Sequence, residues 1–476
     1  MSGVEPRRVP LVVLGGGPGG YPCAFAAADA GLEVVVVDDS DVPGGTCLRD
    51  GCIPSKALLH ISRVISEAND ASEAGVTFPE PTIDLDRLRE WKNEVVMGLA
   101  GGVSQLASAR GVEWISAKGQ LLDEHTLSLT TKRGEQSLLQ FDRLVVATGS
   151  SPVWPPQFPR DNSRLMDSTA ALDLPDLPSR LLVVGGGYIG LELGTVFSSL
   201  GSKVTVVELA GDLLAGADRD LVKPLRRRLE NQFDAIRLNT SVESLAVEGD
   251  QVNAVLQPEA GGPESATFDG VLVAVGRRPN SVGVGLAEAG VDVDGVGHVV
   301  TNEHGQTTRS HIYAVGDVCD GPMLAHRATA DARRVVASLT GQLTPGGDSP
   351  VIPAVVFTDP EVAWCGMTET EAKSLQRGVE VVRVPWVAAG RAHSMGRTDG
   401  LTKLVIDPES RVILGAGMVG VGAGELIGEA VVAVSSGLTT TDLGEAVHAH
   451  PTLAETLSEA ADHSERQAIH LLPRRR

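Results

Sequence analysis

The chain has 476 residues, with 61 acidic against 40 basic side chains and a net charge of −21 when histidine is neutral. A chain this acidic repels phosphate groups, which argues against nucleic acid or an anionic membrane surface as its partner. Aromatic residues make up only 3% of the sequence, too few for a base-stacking surface. No apolar run approaches the ~18 residues of a membrane span, and the length predicts roughly three domains.

Cysteine usage and the first residues bear on the compartment. Five cysteines are too few for a disulfide scaffold, and their odd number leaves at least one thiol free. Arg7 and Arg8 resemble the start of a twin-arginine export signal, but the apolar run behind them covers only residues 11–14 before a glycine triplet interrupts it. We therefore expect a cytoplasmic protein.

One strand–turn–helix–strand pattern occurs twice. A short apolar run leads into a Gly-x-Gly-x-x-Gly turn, a helical stretch follows, and a second apolar run ends in an acid 18 residues after the last glycine. The glycines and acids of the two copies are Gly15, Gly17, Gly20 and Asp38, and Gly185, Gly187, Gly190 and Glu208. Such turns are weak evidence alone, but a βαβ context with an acid at this distance indicates a dinucleotide-binding unit.

Each part of this fingerprint has a physical task. The first glycine permits a tight turn, the second lets the backbone approach a pyrophosphate, and the third allows close packing of helix on strand. The N-terminus of the helix then faces the diphosphate with free N–H groups, and the acid accepts hydrogen bonds from ribose hydroxyls. Two such units imply two dinucleotides, which is typical of an oxidoreductase.

Further apolar runs end where strand tips would meet a cofactor. These ends are Thr148-Gly149, Gly276, and Gly316-Asp317. We predict a turn at residues 277–280 and linkers at 150–159 and 341–353, which are rich in proline, glycine and serine.

The region beyond about residue 350 alternates strand-like runs at 381–384, 401–406 and 412–418 with helical stretches. It carries no nucleotide fingerprint, so it must have another task.

Cys47, Cys52 and Lys56 lie in one glycine-rich segment, residues 44–56. On an ideal helix, residues five apart have Cα atoms roughly 8–9 Å apart, beyond the ~7 Å limit for a disulfide. The two cysteines can pair only if the backbone between them bends, and Gly51 supplies that freedom. If Cys52 begins a helix, Lys56 lies on the same face of it. Two unpaired thiols on a packing surface are the alternative.

Together with His450-Pro451-Thr452-x-x-Glu455, these motifs resemble the pyridine nucleotide-disulfide oxidoreductases over nearly the whole chain. Within that family the resemblance is strongest to members that oxidise dihydrolipoamide. It implies an α/β fold with two Rossmann-like dinucleotide-binding domains and a C-terminal α+β dimerisation domain. The expected divisions are 1–150 and 281–347 for FAD, 151–280 for NAD, and 348–476 for the interface.

The resemblance also implies the catalytic residues. Cys47 and Cys52 would form a redox-active disulfide, with Cys52 nearest the flavin and Cys47 exchanging with the substrate. Lys56 would lie near the flavin and pair with Glu192.

His450 would be the base for the substrate thiol, oriented by Glu455, and both would reach the active site of the other subunit. His448 could compete for that role, but the motif favours His450. We expect buried, inert thiols at 23, 319 and 365, a positioning role for His326, and no metal.

The implied cofactor contacts are numerous. FAD would be bound by Gly15, Gly17, Gly20, Asp38, Gly44, Gly45, Thr46, Lys56, Gly119, Thr148, Gly149, Asp317 and Ala325. NAD would be bound by Gly185, Gly187, Gly190, Glu208, Val242 and Gly276. The carboxylate of Glu208 accepts from a ribose 2′-OH but repels a 2′-phosphate, and no arginine follows at 209–212, which favours NAD over NADP.

Two departures from the family pattern stand out: Asp38 replaces a more usual Glu, and Arg49-Asp50 stands where Asn-Val is typical. The missing C-terminal cysteine pair argues against mercuric and thioredoxin reductases, and the presence of both cysteines argues against single-cysteine NADH oxidases and transhydrogenases.

The expected activity is oxidation of dihydrolipoamide through the disulfide and FAD, with hydride transfer to NAD. The expected partners are lipoyl domains of 2-oxo acid dehydrogenase or glycine cleavage complexes and a second copy of the chain. The alternative activity is the NAD(P)H-dependent reduction of another disulfide or of a quinone. Docking on a larger complex as a structural subunit would be a role additional to the enzymatic one, not a rival to it.

Overall fold

The computed structural model describes residues 7–160, 162–342 and 350–472. The strands and helices of the first 152 residues are β1 (Arg7–Leu14), α1 (Gly20–Asp29), β2 (Val34–Asp38), α2 (Gly45–Asp50), α3 (Cys52–Asp70), α4 (Leu85–Ala109), β3 (Glu113–Ser116), β4 (Lys118–Leu121), β5 (Thr126–Thr130), β6 (Gln136–Val146) and β7 (Ser150–Pro152). Parallel strands β3-β2-β1-β6 form the core of the first sheet. The β4–β5 hairpin extends this sheet, because β5 pairs with β6 in antiparallel orientation. Four consecutive buried valines make up most of β2, as expected for a parallel strand covered on both faces.

The second unit repeats this arrangement. Its elements are β8 (Leu165–Met166), α5 (Ser168–Leu172), β9 (Arg180–Val184), α6 (Tyr188–Ser199), β10 (Lys203–Val207), α7 (Arg219–Gln232), β11 (Ala235–Arg237), β12 (Thr240–Glu248), β13 (Gln251–Pro258), β14 (Glu264–Phe268), β15 (Gly270–Val273) and β16 (Arg277–Pro279). The parallel sheet has the order β11-β10-β9-β15-β8, and β12–β14 form a separate antiparallel sheet. Both predicted βαβ units are therefore confirmed.

The chain then returns to the first sheet. β17 (Ile312–Ala314) pairs in parallel with β6, and α8 (Ala325–Leu339) packs against α1. The turn predicted at 277–280 is wrong, because β16 pairs with β7 in a two-stranded antiparallel ribbon. The chain passes from the first unit to the second at β7 and returns at β16, and the pairing of these two strands joins both connections. Neither segment alone predicts this pairing from its sequence.

The C-terminal unit contains β18 (Ala354–Val356), β19 (Glu361–Gly366), α9 (Glu369–Ser374), β20 (Glu380–Pro385), α10 (Gly390–Ser394), β21 (Leu401–Ile406), β22 (Ile413–Gly420), α11 (Ala423–Ser435), α12 (Thr440–Glu445) and α13 (Glu455–Ser464). Its sheet is antiparallel, in the order β18-β19-β22-β21-β20, with α11 packed against β19 and β22. Of the predicted linker at 341–353, residues 343–349 lie outside the described residues. Across the described ranges, no helix has both the length and the apolar character needed to span a membrane.

Candidate active site

The two glycine turns have matching backbones. Gly15 and Gly185, the first glycine of each, have φ values of +108° and +112°. A Cβ atom at either position would overlap a carbonyl oxygen of the neighbouring strand end, and one at Gly20 or Gly190 would overlap the carbonyl of the first glycine. The first and third glycines are therefore required by the turn and by the packing of the helix, as predicted.

The middle glycines face open space instead. A Cβ atom at Gly187 would meet no heavy atom of the described chain within 4 Å, and one at Gly17 would come no closer than 3.7 Å to the Cα atom of Gly45. Gly45 has φ +60°, and a Cβ atom there would overlap Gly17. A cradle that side chains would fill is what the diphosphate of a dinucleotide requires, so these residues fit FAD at the first turn.

Both acids at the strand ends hold their own glycine turn. Each carboxylate accepts one hydrogen bond from the residue between the first two glycines and another from the N–H two positions after the acid. The bonds are Gly16 to Asp38 at 2.6 Å, Ser40 to Asp38 at 2.8 Å, Gly186 to Glu208 at 2.6 Å and Ala210 to Glu208 at 2.7 Å. A carboxylate has about four acceptor positions, so each acid has room for the hydroxyls of a ribose.

Gly119 and Val242 lie just beyond these acids. Two residues before Gly119, Ala117 donates its N–H to the Asp38 carbonyl at 2.9 Å. Two residues before Val242, Thr240 donates its N–H to the Glu208 carbonyl at 3.0 Å. Gly119 packs against the Leu14 side chain, because a Cβ atom at Gly119 would lie only 2.6 Å from that side chain. Val242 is buried in the second unit. Their contacts with cofactor remain predictions.

A cavity of about 390 Å³ joins the first turn to the cysteine segment. The predicted FAD residues that line it are Gly15, Gly17, Asp38, Gly45, Thr46, Lys56, Thr148, Gly149, Asp317 and Ala325. Gly20 lies beneath the turn, and Gly44 donates its N–H to the Gly16 carbonyl at 3.0 Å. Cys47, Cys52 and Glu192 line the same cavity, so the thiols and the predicted cofactor residues share one space.

The backbone bends between the two cysteines, as their spacing requires. Helix α2 ends at Asp50, Gly51 interrupts it, and Cys52 begins α3. Both cysteines are free thiols. A side-chain hydrogen bond to Cys47 lowers the pKa of Cys52 to about 7 against the effect of burial, with Lys56 helping to lower it. The same bond, together with burial, raises the pKa of Cys47, so ionisation is favoured at Cys52 over Cys47.

Lys56 and Glu192 form the predicted ion pair. The Lys56 ammonium lies 2.8 Å from a carboxylate oxygen of Glu192, although the two residues are 136 positions apart. Glu192 is only 3% exposed and comes from α6, the helix that follows the second glycine turn. The pair therefore joins the second unit to the helix that carries Cys52.

His450 and Glu455 are also paired. The Nδ1 atom of His450 lies 2.8 Å from Glu455, whose other oxygen accepts the N–H of Thr452 at 2.7 Å. Burial raises the pKa of Glu455, but the Thr452 N–H and the His450 ring outweigh it, so this pKa lies below its usual value. The imidazole is 74% exposed, and among the described residues that line the cysteine cavity neither His450 nor Glu455 is found. His448 pairs with Glu429 at 2.7 Å.

Several cavity residues were missed in the sequence. Arg277 donates to the Ser150 hydroxyl at 2.7 Å, and Ser150 donates to Asp317 at 2.6 Å. Asn280 donates its side-chain amide to the Thr148 carbonyl at 3.0 Å. Ser150 and Arg277 belong to the ribbon formed by β7 and β16, and Asn280 directly follows β16. The sequence presents these two segments as a linker and a turn. Their polar character at two strand ends is the only local signal.

The remaining cysteines are buried, and burial raises the pKa of each to about 12, so they are inert as expected. His326 contacts the Pro353 carbonyl at 2.6 Å, and its positioning role stays a prediction. Within the described residues no group of three or more potential ligands could hold a metal.

A family model for pyridine nucleotide-disulphide oxidoreductases matches residues 9–332, and the model for the dimerisation domain of that family matches residues 352–461. The chain belongs to this family. The pyridine nucleotide-disulphide oxidoreductases use FAD and NAD(H), so this protein is a flavoprotein oxidoreductase with those cofactors. The predicted fold class is confirmed, including the C-terminal dimerisation domain.

Its relatives lie in the same family. Proteins named dihydrolipoyl dehydrogenase from Vibrio parahaemolyticus and Haemophilus influenzae are each 40% identical over 455 residues, which is 96% of this chain and 95% of theirs. The solved structure of LpdA from Mycobacterium tuberculosis has a TM-score of 0.87 at 27% identity, covering 96% of this chain and 99% of that one. The HOCl-induced flavoprotein disulfide reductase RclA from Escherichia coli, solved as a Cu(II) complex, has a TM-score of 0.85 at 29% identity, with the same coverage.

Proposed function

We propose that the protein is a dihydrolipoamide dehydrogenase that passes electrons to NAD. The two free thiols of Cys47 and Cys52, which line one cavity with the predicted cofactor residues, carry this proposal. The names of relatives at 40% identity over nearly their whole length support it.

The thiol chemistry follows from the unequal acidity of the two cysteines. In the oxidised enzyme, a dihydrolipoamide thiolate attacks the Cys47 sulfur of the disulfide, and Cys52 leaves as a thiolate. The second substrate thiolate then attacks the substrate sulfur of this mixed disulfide, which releases lipoamide and the Cys47 thiolate. A low thiol pKa makes a good leaving group, and the pKa of about 7 at Cys52 meets that need. FAD held in the cavity by residues such as Gly17, Gly45 and Lys56 would supply the redox chemistry that links the Cys47–Cys52 dithiol to NAD.

His450 is the proposed base for the substrate thiols. A free thiol with a pKa of ~8.5 is mostly protonated at neutral pH and needs a base to become a nucleophile. Glu455 accepts from Nδ1, so that nitrogen carries a proton and Nε2 is left to receive one. The exposure of the ring and the dimerisation domain support delivery to the cavity of a second copy of the chain.

The cysteines allow a direct test. Purified protein should reduce NAD with dihydrolipoamide, and Cys47→Ser should abolish this turnover while NADH still bleaches the flavin absorbance. Unchanged turnover in Cys47→Ser would refute the assignment. Retention of a lipoyl domain by the immobilised full-length protein tests the proposed docking partner.

A second candidate is an NAD(P)H-dependent reductase of another disulfide or of a quinone. The likeness to a disulfide reductase at 29% identity favours it. Arg49 and Asp50 place two charges in the cavity beside the cysteines. A lipoamide kcat/KM far below that for such a substrate would select this alternative.

A further inference from the structure

Phe357 contacts both members of the Lys56–Glu192 pair. Its ring centroid lies 4.6 Å from the Lys56 ammonium, within the range of a cation–π interaction. Its backbone N–H donates to one Glu192 oxygen at 3.0 Å, while the other oxygen receives Lys56 at 2.8 Å. The carboxylate is therefore held from two sides, and the ammonium lies between a carboxylate and an aromatic face.

Three parts of the chain meet at this point. Lys56 comes from α3, Glu192 from α6, and Phe357 follows β18 in the C-terminal unit. The loop that carries Phe357 is anchored, because Arg397 donates to Asp359 at 2.6 Å. The ring also packs near the start of α11, where a Cβ atom at Gly424 would lie 3.5 Å from it.

The position of Lys56 matters because of the charges around Cys52. The groups that face the Cys52 sulfur are Cys47, Lys56, Glu192 and Tyr188. Lys56 favours the thiolate, whereas Glu192 opposes it. Lys56 lies one helical turn after Cys52 and lines the same cavity, so a small displacement of its flexible side chain changes the balance of charge at the sulfur.

We propose that Phe357 is a positioning residue, whose ring holds the Lys56 ammonium between Glu192 and Cys52 and so sustains the Cys52 thiolate. This inference rests on the proposed role of Cys52 and assigns part of its activation to the C-terminal unit. The ring supplies an apolar wall that keeps the ammonium from extending into water, together with an attraction that a leucine side chain lacks.

The test is the pH profile of thiol alkylation in the reduced full-length protein, which needs neither lipoamide nor NAD. Iodoacetamide labelling is measured from pH 5.5 to 9.5, and peptide mass spectrometry separates Cys52 from Cys47. Phe357→Leu removes the ring and keeps the backbone N–H. We expect its Cys52 midpoint to rise and the labelling rate at pH 7 to fall roughly two- to fivefold, because fewer thiolates remain, with rates at pH 9.5 converging.

Two controls separate positioning from packing. Phe357→Tyr keeps an aromatic ring and should retain the parent profile, and Phe268→Leu, a buried phenylalanine of β14, should leave it unchanged. If Phe357→Leu does not fold, Phe357→Met replaces it. An unmoved midpoint in the folded ringless variant, or an equal shift in Phe268→Leu or Phe357→Tyr, would overturn the proposal. The lipoamide assay, run separately, reports on the proposed function alone.

Discussion

Replacing Cys47 by alanine or by serine tests whether its hydrogen bond makes Cys52 acidic. Serine retains an O–H that can donate to the Cys52 sulfur, whereas alanine removes the donor. Burial and Glu192 then raise the pKa of Cys52, with Lys56 and a weaker backbone hydrogen bond to oppose them. We expect the pKa of Cys52 to stay near 7 in Cys47→Ser and to rise to the ordinary thiol value of ~8.5, or above it, in Cys47→Ala.

The size of the effect follows from these two values. At pH 7 a thiol with a pKa of about 7 is half ionised, and one with a pKa of ~8.5 is roughly 3% ionised, a difference of about 16-fold. The shift of roughly 1.5 pKa units corresponds to about 2 kcal/mol, within the range for a hydrogen bond to a charged group.

Iodoacetamide labelling of Cys52 against pH measures this in the two variants. The buried thiols at 23, 319 and 365, whose pKa values burial raises to about 12, serve as internal controls that should remain unlabelled. Because both variants lack Cys47, lipoamide turnover is lost in each and does not enter the comparison. Equal midpoints in the alanine and serine variants would refute the role of the hydrogen bond.

Three other perturbations test separate parts of the protein. His450→Gln should lower lipoamide turnover by about 10²–10⁴-fold, since the thiol base is lost, while NADH still bleaches the flavin in a stopped-flow experiment. Glu208→Ala should raise the KM for NAD roughly tenfold and improve NADP relative to NAD, because a ribose acceptor and a repulsive charge are both removed. Lys403→Met should lower the free energy of unfolding in urea by about 3 kcal/mol, because it leaves Asp218, which is 4% exposed, without the ammonium 2.6 Å away.

The buried ion pair also predicts a pH dependence. Burial raises the pKa of Asp218, but Lys403 and neighbouring hydrogen bonds outweigh it and hold this pKa at about 2, below the ordinary 3.8. The stability this carboxylate contributes is present above pH ~4 and is lost as the pH falls through ~2, in total about 2 kcal/mol. Lys403→Met should show a smaller loss over that window.

Each of these expectations has a contrary outcome. Lipoamide turnover that survives in His450→Gln would move the base elsewhere, with His448→Gln as the matched variant. An unchanged NAD to NADP preference in Glu208→Ala would exclude its ribose contact. Equal unfolding free energies for Lys403→Met and the parent chain would mean that the desolvation of the buried charges cancels their attraction.

The glycine turns and the cysteine segment could be read from the sequence because each is local. In the first turn, Gly15, Gly17 and Gly20 lie within six residues, so their chemistry depends on one strand, one turn and one helix start. Cys47 and Cys52 are equally close in the chain, and their bend follows from helix geometry and Gly51. The resemblance then added Glu192 and His450, which no local pattern connects to the cysteines.

The sequence alone therefore determined the contiguous motifs. These are the two dinucleotide turns, the acid that ends the second strand of each βαβ unit, and the cysteine pair with the bend between its members. Only the tertiary structure decided the rest. Arg277 reaches Asp317 through Ser150 because β7 and β16 pair, and Phe357 reaches Lys56 because the C-terminal unit packs on α3. Contacts between residues more than a hundred positions apart depend on how whole sheets and helices pack against one another. The spacing of residues along the chain does not determine that packing, so it cannot predict such contacts.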